Sequence, residues 1–369
     1  MSSGKGDPIG SLNIFTAKDP NWTYVRKRLT VVFTASKLRT MQDLLIKKSD
    51  DLIERLTKEI GKGDLIQTRQ ICTDYTSDVV GESAFGISSE STRDGDSVVR
   101  RITREFGAFN LHRGLSWSSI FFFPELFFLA VMRQYRHQWL LIVTILQNLL
   151  EMSEDLLVAQ AAVFLFGGFD TSGSVFTFTI YELAHNHDAQ ERLYKELEET
   201  KKQLGDKDFD LKSLEELPYL NAVIKETLRK YPPMGWLDRV ATKEYQIDNN
   251  LTIPAGSVIY VNTVGMHMDP EYFPEPEVYN PNRFLPGNDK SILPYTFMPF
   301  GDGPRSCIGL RFAKQVLRFG IAKVCLNFKM EPIPKTPKPH EVQIDKYGLL
   351  MMPGEKLSVN LIPRPPLSA

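Results

Sequence analysis

The stretch from 155 to 178, DLLVAQAAVFLFGGFDTSGSVFTF, is apolar on nearly every side when wound as a helix. A helix without a polar face must be surrounded by other elements, so this segment predicts a helix through the middle of a large core. Gly167 and Gly168 at its centre weaken it, and Asp170, Thr171 and Ser172 bring polar groups into an apolar interior. A conflict of that kind marks a functional site. Val163, Gly167 and Thr171 are four apart and share one face, with Phe166 beside them.

The remaining pattern surrounds that helix with more helix. Apolar spacing and flanking caps predict helices over 20–60, 75–85, 97–110, 125–150, 153–185, 187–203, 213–230 and 308–325. A smaller β part is predicted over 240–265, where Asn249-Asn250 and Pro254-Ala255-Gly256 supply turns, and as a hairpin over 342–362 turning at MPGEK. Between them, 270–305 is dense in proline and glycine and predicts an irregular meander. With 369 residues, 42% of them hydrophobic, the chain can bury a core of this size. A net charge of -1 gives no general basic surface for nucleic acid.

Three widely spaced cysteines, Cys72, Cys307 and Cys325, argue against a disulfide framework and for a reducing compartment or a reducing membrane face. The apolar runs at 120–132 and 139–150 are too short for a bilayer, so no transmembrane helix, signal peptide or transit peptide is expected. His185 and His187 are two apart and do not share a helix face, which speaks against a metal pair. No dinucleotide or P-loop pattern is present, so electrons for any reductive chemistry must come from another protein.

Cys307 has unusual neighbours. In PFGDGPRSCIGLRFA, 299–313, it lies before a helix start, where backbone N–H groups favour thiolate. Gly301 and Gly303 give the loop backbone angles closed to other residues, and Gly309 allows close approach. Phe300 can shield the sulfur, and Arg305 can reach an anionic group. The string fits F-x-x-G-x-R-x-C-x-G at Phe300, Gly303, Arg305, Cys307 and Gly309.

On these residues the chain resembles the haem-thiolate monooxygenases, the cytochrome P450 superfamily, with wording nearest the microsomal xenobiotic-metabolising members of insects. The resemblance implies a mainly α cytochrome P450 fold with a small β part, truncated at the N-terminus. It implies one haem-binding domain over 1–369, strongest at 155–365. Cys307 would be the axial ligand of the iron of haem b. In IKETLRKYPP, Glu226 and Arg229 lie three apart, and PNRF supplies Arg283. The resemblance makes these three a buried network that locks the meander. It makes Gly167 and Gly168 an oxygen-binding groove and Asp170 and Thr171 a proton relay. Trp22 and Arg26, four apart, with Arg239 and Arg305, match positions that hold the haem propionates. Phe166, Val163, Leu349 and Leu350 would line an apolar substrate pocket.

The implied partners are NADPH-cytochrome P450 reductase, cytochrome b5 and a lipophilic small-molecule substrate, with no nucleic acid. The implied location is the cytoplasmic face of the endoplasmic reticulum, by peripheral association with the membrane. Arg311, Lys314 and Arg318 line up on the helix after Cys307 and are expected to form a cationic stripe for the reductase. Two departures stand out. Trp22 lies too near the start for the family's anchor and first strands to precede it, and the chain between FFFPEL and Asp155 is short. Two alternatives therefore stay open: a reductase-independent isomerase or dehydratase with the same core, and a non-catalytic or haem-free remnant.

Overall fold

The long apolar segment forms one helix of 32 residues, Glu154–His185, and the rest of the chain is arranged around it. The computed structural model describes residues 12–103 and 153–366, apart from 64, 88, 98, 102, 347 and 349. In chain order the helices before it are α1 (Asn21–Thr30), α2 (Ala35–Arg39), α3 (Gln42–Gly61), α4 (Thr68–Phe85) and α5 (Ser91–Asp94). The long helix is α6. After it come α7 (His187–Leu204), α8 (Leu211–Glu215), α9 (Pro218–Lys230), α10 (Thr263–His267) and α11 (Leu310–Asn327).

The expected single helix over 20–60 is broken. A 3-10 turn at Val31–Phe33 follows α1, and Thr34 is extended (φ -70°, ψ 154°). The run Thr30-Val31-Val32 with Thr34 is β-branched, and such side chains lose rotamer freedom against a preceding helical turn. Of the helix expected over 97–110 only the first turn is described, and the one over 125–150 lies outside the described residues.

Helix α6 packs against α4, α9 and α11. It is long and apolar enough to cross a membrane by length and composition alone. Here protein covers it: Phe169, Val175, Phe176, Phe178, Tyr181 and Leu183 are buried. Its polar groups find partners. Thr177 and Thr179 donate back to Gly173 and Val175 carbonyls. Near its end Glu182 accepts from Lys230 Nζ at 2.7 Å and from the Tyr231 hydroxyl at 2.8 Å, which ties α6 to the end of α9.

Among the described residues the β part forms three small antiparallel sheets. Strands β2 (Trp236–Val240) and β5 (Val258–Asn262) pair with Trp236 opposite Asn262. Between them β3 (Tyr245–Gln246) and β4 (Thr252–Ile253) make a short hairpin that turns where Asp248 accepts from the N–H groups of Asn250 and Leu251. The third sheet has the order β1-β7-β6, from Ile66–Gln67, Ser358–Pro363 and Phe328–Pro332. This corrects the hairpin expected over 342–362. Strand β7 pairs with β6 and β1 instead, while 343–354 closes its own narrow turn through Asp345 N–H to Met352 O (2.8 Å) and Gly354 N–H to Gln343 O (2.7 Å). Pro353, which has no N–H, cannot extend that ladder. The 270–305 stretch is irregular as expected, with 3-10 turns at Pro281–Phe284 and Asp289–Ser291.

Candidate active site

The cysteine loop is shaped by two left-handed glycines, Gly301 (φ 69°) and Gly303 (φ 76°), conformations that side chains disfavour. Cys307 N–H donates to Phe300 O at 2.9 Å and Ser306 N–H to Gly303 O at 3.0 Å, so the loop closes on itself immediately before α11. Phe300 packs on the main core. Protein surrounds most sides of the Cys307 sulfur and raises the thiol pKa by burial, while the Gly309 N–H and the Arg26 charge act in the opposite direction. The residue is nevertheless exposed. Both observations hold if the sulfur sits at depth and faces an opening. Gly309, by contrast with Gly301 and Gly303, has ordinary backbone angles (φ -88°, ψ 9°) and contributes its N–H to the sulfur.

Two arginines from distant parts of the sequence meet this loop, and a third, within it, reaches out. Arg26 on α1 donates to Ser306 O at 2.9 Å, Arg239 on β2 donates to Asp302 O at 2.9 Å, and Arg305 donates to Ala17 O at 2.8 Å. Arg305 also lies over the Trp22 ring, 4.5 Å from its centroid. Partial burial lowers the pKa of Arg26 and of Arg305, and the Arg26 charge acts on Cys307.

On α6 the expected face is present. Gly167 is exposed although Leu165 and Phe169 on either side of it are buried, and a Cβ there would meet open space. Val163 and Thr171 are half-buried on the same face, and Thr171 Oγ1 donates to Gly167 O at 2.6 Å. Phe166 packs on a second apolar cluster that includes Val80, Phe85 and Phe169. Gly168 is half-buried. A Cβ on it would come 2.8 Å from Val80 Cγ2, so this glycine permits α6 to approach α4. Asp170 is buried, and desolvation raises its pKa to about 6 against the pull of Arg69 and Arg100.

The loop and α6 meet at Phe33, which neither motif signalled. Its ring lies 5.6 Å from that of Phe164, and its Cε1 lies 3.8 Å from where a Cβ on Gly309 would be. Ile308 and Phe164 also pack on one cluster with Val25, Leu29 and Leu157. Leu350 is buried, and Leu349 lies outside the described residues. The neighbouring Met351 carbonyl accepts from Ser174 Oγ at 2.6 Å, which brings this segment onto α6 near Thr171.

Glu226, Arg229 and Arg283 come together. Arg229 grips Glu226 with Nε at 2.9 Å and Nη2 at 2.8 Å, both residues fully buried. Arg283 Nε is farther, 3.6 Å from Glu226 Oε1, and its Nη2 donates to Glu275 O at 2.8 Å. The meander is bound through backbone groups: Arg229 Nη2 donates to Pro276 O at 2.7 Å, and Asn280 N–H donates to Glu226 Oε1 at 2.9 Å.

A family model for cytochrome P450 matches residues 5–143 and 132–360. The chain is 34% identical to "Probable cytochrome P450 6a13" of Drosophila melanogaster, over 98% of this chain and 78% of that protein. It is 30% identical to cytochrome P450 6k1 of Blattella germanica, with 97% and 77% covered. It is 31% identical to cytochrome P450 3A5 of Homo sapiens, with 93% and 74% covered. The chain belongs to the cytochrome P450 family. It is an oxidoreductase, a haem-thiolate monooxygenase, with haem b as cofactor.

The residues of this cytochrome P450 fit that group. Cys307 is exposed, the half-buried Arg26 sets its charge beside the sulfur, and the glycine at the centre of α6 leaves space where a side chain would intrude. Two other clefts among the described residues lie elsewhere, about 250 Å³ beside Lys225, Phe284 and Tyr295, and about 420 Å³ beside His187, Arg192 and Tyr219.

The cationic stripe expected on α11 is corrected. Arg311 is exposed, but Lys314 is half-buried with its pKa lowered by desolvation. Arg318 is 6% exposed and directs Nε and Nη2 at Asn221 Oδ1, 2.9 and 2.7 Å away. Two of the three groups face α9 or its surroundings, so they do not form a free charged surface. His185 Nδ1 donates to the Tyr181 carbonyl (2.9 Å), and no metal-binding cluster of side chains occurs among the described residues.

Proposed function

We propose that this cytochrome P450 inserts one atom of O₂ into a lipophilic small molecule, using electrons delivered by an NADPH-dependent reductase. The carrying observation is the pairing of an exposed Cys307 before α11 with an exposed Gly167 in the middle of a mostly buried helix, the two elements joined at Phe33. Bound haem supplies oxygen activation, and a thiolate ligand favours O–O cleavage. Cys307 would hold the cofactor through its sulfur. Arg26, Arg239, Arg305 and Trp22 would hold its carboxylates, since guanidinium groups are suited to carboxylate pairing.

Thr171 presents a hydroxyl beside the open face at Gly167, and Asp170, raised to about 6, can gain and lose a proton near neutral pH. Val163, Phe166 and the segment at Leu350 give the opening apolar walls, which favours a lipophilic substrate. We further propose that residues 1–369 form one haem-binding domain. We also propose that it works at the cytoplasmic face of the endoplasmic reticulum with cytochrome b5 as a second electron donor, a reading that the family resemblance supports. The test is NADPH consumption by holoprotein with reductase and a lipophilic substrate. Product formation that requires reductase supports the reading, whereas turnover of a hydroperoxide without reductase or O₂ supports the isomerase or dehydratase alternative.

A further inference from the structure

The cysteine loop is held at Asp302 and Ser306 by arginines that donate to carbonyl oxygens, and at Arg305 by its bond to Ala17. Its front end is held differently. Met298, whose carbonyl accepts from Gly301 N–H at 3.0 Å, has an N–H of its own that needs an acceptor, and no arginine or lysine can provide one. That acceptor is His267 Nε2, at 3.1 Å.

His267 is fully buried at the end of α10. Its Nδ1 lies 3.1 Å from Arg229 O, in the last turn of α9, where helical carbonyls lack an intrahelical donor. A ring that accepts at Nε2 carries its proton on Nδ1, so Nδ1–H donates to that carbonyl. Arg229 Nη1 returns a bond to His267 O at 2.9 Å. Phe273 and Phe297 flank the ring, with centroids 6.1 and 5.4 Å away. Burial lowers the imidazole pKa to about 4, which keeps the ring neutral and Nε2 free to accept.

We propose that His267 is a positioning residue for Cys307: one neutral imidazole joins the buried Glu226–Arg229 pair to Met298 and so fixes where the cysteine loop begins. The inference rests on the reading of Cys307 as haem ligand only for its optical readout. A leucine or phenylalanine here would fill the space and leave two polar groups without partners. A lysine would set a donor against the Met298 N–H.

Two variants separate the two ring nitrogens. His267→Asn keeps a donor near Arg229 O and withdraws the acceptor from Met298, whereas His267→Gln keeps an acceptor within reach of Met298. Reduced holoprotein under carbon monoxide is followed in mild urea for conversion of the red-shifted thiolate band to the unshifted form. Loss of one buried hydrogen bond at the loop predicts roughly tenfold faster conversion in His267→Asn, with His267→Gln within about twofold of the unaltered protein. Equal rates in His267→Asn and the unaltered protein, or equal acceleration by both variants, overturn the proposal.

A measurement on the unaltered protein needs neither variant nor haem. Amide exchange at Met298 should be as slow as at Cys307, whose N–H is bonded to Phe300 O, and ¹⁵N shifts should show His267 with its proton on Nδ1. A Met298 amide exchanging at the free-peptide rate, or a proton on Nε2, overturns the proposal even if Cys307 is confirmed as ligand.

Discussion

Replacing Glu226 by Gln changes one oxygen to an amide and almost no volume. The carboxylate receives Arg229 at 2.8 and 2.9 Å and Asn280 N–H at 2.9 Å, with Arg283 at 3.6 Å. The new NH₂ must face one of these donors, and Arg229, fully buried, loses its counter-charge. Breaking a buried pair from one side costs about 3–5 kcal/mol. Arg283→Ala provides the comparison. Glu226 then keeps its two-pronged contact with Arg229, and what is lost is one long ion pair and the bond to Glu275 O, about 1–3 kcal/mol. Urea denaturation at pH 7 measures both, as a midpoint shift at constant slope. Glu226→Gln should lower the midpoint clearly more than Arg283→Ala, and it should also reduce haem recovery because the meander leads into the cysteine loop. Equal shifts, or a loss below about 1 kcal/mol for Glu226→Gln, would refute the view that Arg229 is the main partner.

Gly168→Ala places a Cβ 2.8 Å from Val80 and should cost about 1–3 kcal/mol, whereas Gly167→Ala meets open space and should hold or slightly raise stability; thermal unfolding of the two variants compares them. Asp170 keeps its proton up to about pH 6 in the folded state, while the unfolded chain releases it near 3.8. The folded state therefore binds more protons in that window, and stability falls as pH rises through it. Asp170→Asn should accordingly raise stability by up to about 3 kcal/mol at pH 7 and by almost nothing at pH 4, read from urea midpoints. Arg318→Ala removes two bonds to Asn221 from a buried site and should cost about 1–3 kcal/mol with little salt dependence, where an exposed stripe would predict no change.

The cysteine loop could be read in the sequence because each fixed residue answers a local demand: glycines for left-handed backbone, a cysteine before a helix start. Glu226 and Arg229 could be read because three residues on a helix set a reach of one turn. Position alone did not separate Gly167 from Gly168, which are adjacent and identical in type. Only the placement of Val80 on α4 shows that one faces space and the other faces a helix. Arg318 falls in the same class, since the side of α11 that meets Asn221 depends on where α9 packs. The pairing of β7 with β6 and β1, rather than with its nearer neighbour, depends likewise on contacts far apart in sequence. His267 gave no signal, because a lone histidine before a proline-rich stretch has no pattern, and its role lies in two backbone groups 38 and 31 residues away.

The claim on which the rest depends is that Cys307 is the haem ligand. The most direct measurement is the absorption spectrum of the reduced, carbon-monoxide-treated holoprotein beside that of Cys307→Ala prepared in the same way. The unaltered chain should show the red-shifted carbonyl band that a thiolate ligand produces, and the variant should lack it. A red-shifted band retained in Cys307→Ala would contradict the account.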